Sequence, residues 1–214
     1  MATNLGKNSP YSASFTALAL GFYEMESVLP TLMDESIEDK SLVLTRDDTR
    51  LQLPTENSRQ RVLTELLRRY NAVDKSFWNY YSSLLEPAKR IALLYAFLKT
   101  YKIAFDFQIN VILDRWNSVD QTVQLTDILF QISEIAAADP FVDSWSDATK
   151  RKVATKYLAT IRESGLLDAN SDTLHPVMLD DRDYAYYLTI GESWFLQACF
   201  LQPFEIQRIK DTLL

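Results

Sequence analysis

The chain has 214 residues, 47% hydrophobic and 24% charged, with 22 basic and 29 acidic side chains for a net charge of −7. That length can bury a core in one large domain or two small ones, and the acidic balance argues against a tail-like, nonspecific nucleic-acid binder. Four glycines and one cysteine exclude Gly-rich phosphate loops, multi-turn β folds and an internal disulfide framework.

The polar opening "MATNLGKNSPYSAS" reads as a lead-in and carries no signal-peptide pattern. Phe15, Leu18, Phe22, Met25 and Leu29 recur at helical spacing and predict a helix over 14–33, which Pro30 ends or kinks. Residues 34–53 are acidic and mixed, with room for a short helix around 37–44. Pro54 stops that segment, and Thr55, Asn57 or Ser58 can cap a helix whose buried stripe is Val62, Leu63, Leu66, Leu67 and Tyr70. Asp74 caps "KSFWNYYSSLL", and Pro87 suits the first turn of the next helix. From there to Trp116 the pattern is one long helix or two abutting ones, apolar on more than one side and therefore central. Its apolar run "IALLYAFL" is far shorter than the ~20 residues that span a bilayer, so the expectation is a soluble, cytoplasmic protein without a membrane partner.

Thr126 or Asp127 opens "DILFQISEIAAA", which ends near Asp139-Pro140. Ser146 or Asp147 caps "ATKRKVATKYLATIRES", and Gly165 suits its left-handed C-terminal position. "LLDANSDTLHPVMLDD" is turn-rich, with room for a short strand near 174–179, and two or three closing helices come after it, punctuated by Gly191 and Pro203. The expected fold is all-α, a multi-helix bundle. It divides into a helical core over 1–138 with a C-terminal helical subdomain over 139–214 packed on it, or it is a single domain.

Charge is strongly blocked. Residues 57–102 carry nine basic and three acidic side chains and residues 150–164 five and one, while 1–56, 103–149 and 165–214 are all net acidic. Two basic helical regions in an acidic background can present a phosphate-binding face while the remainder repels nucleic acid. Glu65 lies within one turn of Arg61, Arg68 and Arg69, so the same charges can also be spent in local pairs or solvation. The apolar stripe leaves Arg61 and Arg68 on the outer side, whereas Arg69 falls near the core edge, within reach of Glu65. The second block ends in Gly-Leu-Leu before the turn-rich segment, as a winged-helix module does on entering its wing over 147–180, and also as an ordinary capped helix does.

Nothing points to catalysis. One histidine, His175, and one distant cysteine, Cys199, make no metal cluster. The acidic "LDDRD" at 179–183 reads as a helix N-terminus complementing its dipole. Asp106 and Asp114 are eight apart and could face inward together. The expectation is a protein with no enzymatic activity, metal, cofactor or small-molecule substrate.

Four stretches, "YSASFTA", "LQLPTENSRQRVLTELLRRY", "WSDATKRKVATKYLATIRESGLL" and the aromatic closing segment, together resemble the BrxA family, accessory proteins of bacterial BREX phage-exclusion systems. The resemblance covers nearly the whole chain. It implies an all-helical architecture similar to the NusB antitermination fold, a non-catalytic role in phage defence beside other subunits, and DNA as the partner. The two basic helices carry the candidate contacts: Arg59, Arg61 and Arg68 on the first, Lys150, Arg151, Lys152 and Lys156 on the second, with Lys89 and Arg90 at the start of the central helix. The alternative is a protein–protein adaptor within the defence complex that makes no productive DNA contact.

Overall fold

The computed structural model describes residues 6, 8–46 and 48–213. The fold is all-α, and among the described residues no strand forms. A 3₁₀ turn, Ser14–Ala17, precedes α1 (Phe22–Met33), α2 (Lys40–Arg46) and α3 (Asp48–Leu51). The predicted helix over 14–33 is broken at Leu18–Gly21, because Gly21 adopts a left-handed φ of 70°, which L side chains resist. Pro30 neither ends nor interrupts α1. The helix runs on to Met33 around it.

Next come α4 (Glu56–Asn71), α5 (Lys75–Ser83) and α6 (Glu86–Thr100). Thr55 caps α4 by accepting from the amide of Ser58 at 3.2 Å, which satisfies one of the orphan donors of the first turn. Asp74 occupies the N-cap of α5 without a side-chain capping bond, and Pro87 stands in the first turn of α6. The central pattern resolves into two abutting helices rather than one. After Tyr101 the chain restarts as α7 (Lys102–Phe107), passes through a π-helical turn, Gln108–Ile112, and ends in α8 (Leu113–Trp116). Residues 91–98 of α6 are buried all round, as a helix without a polar face requires.

The remaining helices are α9 (Leu125–Ala138), α10 (Pro140–Asp143), α11 (Asp147–Ser164), α12 (Asp181–Thr189), α13 (Trp194–Ala198) and α14 (Pro203–Leu213). Gln124 and Asp127 form a reciprocal capping box on α9. Ser146 caps α11, and Gly165 ends it at a φ of 90°. After Gly165 the pairing is confined to isolated bridges, Leu167 with Leu174 and Thr122 with Thr173. The turn-rich segment is thus pinned to the loop before α9, with Leu174 donating its amide to Gln121, instead of extending as strands.

α4 and α11 both pack on α6 and on the 3₁₀ turn, and α11 also packs on α9. Both run antiparallel to α6. Glu65 meets Tyr101 while Arg69 meets Phe97, four residues earlier, and Glu163 near the end of α11 meets Arg90 near the start of α6. The N-terminal halves of the two basic helices therefore point toward the same end of the central helix.

Candidate nucleic-acid interface

The inner face of α4 is a buried polar clasp. Arg69 is fully buried, not at the core edge. Its guanidinium donates to the carbonyl of Leu18 at 2.9 Å and to that of Leu20, and it lies over the rings of Phe97 (4.9 Å) and Tyr101 (5.6 Å). A buried guanidinium needs such acceptors, because an unpaired one is driven out of an apolar interior. Glu65, also buried, accepts from Ser14 (3.2 Å) and the Tyr101 hydroxyl (2.5 Å), and its ion pair is with Arg68 at 2.9 Å. From the other side α11 reaches the same lead-in, with the Glu163 carboxylate accepting from the amide of Gly21 at 3.0 Å. Burial holds the Glu163 carboxyl above its ordinary range, opposed by that amide bond. The Leu18–Gly21 break is therefore held between the two basic helices by one arginine and one glutamate.

The candidate phosphate-contacting residues fall into two groups. Four have protein partners. Arg59 turns back to the Leu53 carbonyl at 2.9 Å, with its Nε buried and unpartnered, and Arg68 is spent on Glu65. Lys89 pairs with Glu26 at 2.7 Å. Arg90 pairs with Glu86 at 2.8 Å, donates to the Glu163 carbonyl at 3.1 Å and lies 4.3 Å over the Phe22 ring. The second group makes no ion pair among the described residues: Arg61 on α4 and Lys150, Arg151, Lys152 and Lys156 on α11. Arg61, Arg151 and Lys152 are exposed, and Lys150 and Lys156 are half-buried. Lys156 is close enough to Glu163 to favour its charged form. On α11 the apolar positions Val153, Ala154, Tyr157, Leu158 and Ile161 face the core, so the cations at 151 and 152 are left to solvent.

Sequence reasoning does not find the Arg69 clasp. Its two acceptors are main-chain carbonyls some fifty positions away, and no residue type marks them. Asp106 and Asp114 do not converge: Asp106 is buried beside Lys102 and Tyr11, whereas Asp114 is exposed. Burial and the Asp106 carboxylate push the Tyr11 hydroxyl up to about 12. In the "LDDRD" stretch Asp180 caps α12 and Asp181 pairs with Arg208 at 2.8 Å. His175 is exposed, Cys199 is buried and unbonded, and among the described residues no three His, Cys, Asp or Glu side chains gather where a metal could bind. No helix among them is long and apolar enough to cross a membrane.

The family description BrxA matches residues 9–187, and the chain belongs to the BrxA family, accessory proteins of BREX phage-defence systems. No curated protein matches the chain. Among solved structures, the crystal structure of an uncharacterized protein from Magnetospirillum magneticum is similar, with a TM-score of 0.76 at 18% identity over 89% of this chain and 98% of that one. At that identity the likeness speaks for the fold alone.

Proposed function

We propose that this member of the BrxA family is a non-catalytic accessory component of a cytoplasmic phage-defence complex that binds DNA. In this reading the first turns of α11 contact the phosphate backbone through Lys150, Arg151, Lys152 and Lys156, with Arg61 of α4 as a secondary contact and little base readout. One observation carries the proposal. Three consecutive cations stand on α11 without a carboxylate partner among the described residues, on a chain that elsewhere pairs its arginines repeatedly. Unpaired Lys and Arg on one helix, with Arg151 and Lys152 facing solvent, are what a polyanion recruits at no cost in broken internal pairs. The adaptor reading is favoured by a different observation. Arg59, Arg68, Lys89 and Arg90 are already committed within the protein, so the basic block at 57–102 offers DNA little.

Fluorescence anisotropy with labelled duplex and single-stranded DNA at about 50 and 200 mM salt separates the two. Steep weakening with salt is expected for the wild type, and the triple variant Lys150→Glu/Arg151→Glu/Lys152→Glu is expected to lose binding. Neutralising the same three side chains should flatten the slope of log affinity against log salt by about 3. Arg68→Gln, which removes the charge without setting a second carboxylate against Glu65, should bind DNA nearly as the wild type does. No binding at low salt would favour the adaptor, and binding indifferent to the triple variant would remove α11 as the contact surface.

A further inference from the structure

The closing segment of the chain and Trp116 of α8 together line an apolar groove that the DNA reading does not use. Its floor is a stacked pair, Trp116 of α8 and Phe200, with ring centroids 4.5 Å apart and planes 16° from parallel. Phe200 is buried and carries a φ of 75°, a left-handed backbone that a bulky aromatic residue adopts only when its surroundings hold it there. That turn lays the Phe200 ring on Trp116 and brings Leu201 and Gln202 up as a wall. The groove has a volume of about 360 Å³ and continues past Trp116 and Phe200 into a second depression of about 250 Å³ toward Leu113 and Pro203. Met178 and Phe204 line it while remaining 89% and 72% exposed. Two large apolar side chains left in water within one concavity mark an interaction site rather than scattered surface residues.

Charge selects the occupant. The charged side chains that line the groove are Glu205 and the Asp181–Arg208 ion pair, a net charge of −1, within a segment, residues 165–214, that holds eight acidic side chains against three basic ones. Nucleic acid is repelled from such a rim, and a second copy of this acidic segment is disfavoured for the same reason. A helix that lays an apolar face into the groove and carries lysine or arginine on its flanks satisfies both the floor and the rim. We infer that this groove binds a basic amphipathic helix of a partner protein. The family match ends at residue 187, so Phe200 of the floor, the Leu201–Gln202 wall and Phe204 lie beyond the span that identifies the family.

The test uses the full chain and two short fluorescein-labelled amphipathic peptides, one of Leu and Lys, the other of Leu and Glu in the same pattern. The Leu/Lys peptide is expected to bind saturably, with the Met178→Ala/Phe204→Ala variant weakening it at least tenfold and the Leu/Glu peptide binding far less. Both substituted side chains are exposed, so the variant should unfold with the wild-type midpoint and bind DNA as the wild type does. Equal binding of the Leu/Lys peptide by wild type and variant would overturn the inference. So would equal binding of the two peptides, or self-association of the wild type that the variant abolishes. Loss of DNA binding in the α11 variants with peptide binding intact, or the reverse, separates this inference from the DNA reading.

Discussion

Arg68 and Arg69 are adjacent in sequence, yet removing them should have opposite consequences. Arg69 is fully buried and donates to the Leu18 and Leu20 carbonyls. Arg68, with a side chain 49% exposed, makes one ion pair. Arg69→Ala deletes two hydrogen bonds from a charged donor, each about 1.5–3 kcal/mol. It strands two carbonyls and leaves a void against Phe97 and Tyr101. The expected loss is about 4 kcal/mol, within the range for breaking a buried charged contact. With a urea slope of about 2 kcal/mol per molar, the midpoint of unfolding should fall by about 2 M. Arg68→Ala should cost less than Arg69→Ala, because its own side chain is half exposed and the buried Glu65 keeps the Ser14 and Tyr101 hydroxyls as donors. Urea titration followed by circular dichroism measures both. A loss below about 1 kcal/mol for Arg69→Ala, or equal losses for the two variants, would refute the claim that this guanidinium clasps the lead-in to the bundle.

Beside the DNA and peptide tests, the backbone and the buried carboxyl each yield a prediction. Gly191 has a φ of 77° with nothing within 4 Å of an added Cβ, whereas at Gly21 (φ 70°) the Cβ would lie 2.5 Å from a Leu18 methyl. Gly191→Ala should therefore cost only the left-handed penalty of about 1–2 kcal/mol, and Gly21→Ala about 1–3 kcal/mol more for the clash; equal urea midpoints would contradict this. For Glu163, burial raises the folded carboxyl above its ordinary value of 4.5, so the folded state binds the proton more tightly than the unfolded chain. Stability from this group is therefore greatest below that ordinary value and declines as pH rises through the window up to the folded value. Glu163→Gln, which keeps an acceptor for the Gly21 amide, should remove that decline and gain on the wild type near pH 7 but not near pH 4. A gain independent of pH would refute it.

The sequence by itself determined the fold class, the helices and most of their ends. Those are set by local chemistry: apolar residues at helical spacing on α4 and α11, Thr55 and Ser146 at N-caps, Gly165 at a left-handed C-terminus. It also located the two basic blocks, because charge composition needs no third dimension. It misjudged the 14–33 helix, since the left-handed turn at Gly21 is stabilised by Glu163 from a distant helix and not by its neighbours. Tertiary structure alone decided which cations are spent and which are free. Arg68 and Arg69 differ by one helical step of about 100°, enough to carry one into the core and leave the other on the surface. The partners of Arg69, Lys89 and Arg90 include groups forty or more residues away. The Trp116–Phe200 groove belongs to the same class, because its floor joins side chains 84 positions apart through a backbone angle that no residue pattern announces. Spacing along a chain fixes which face a side chain takes on its own helix, and only the packing of that helix against the others decides what the face meets.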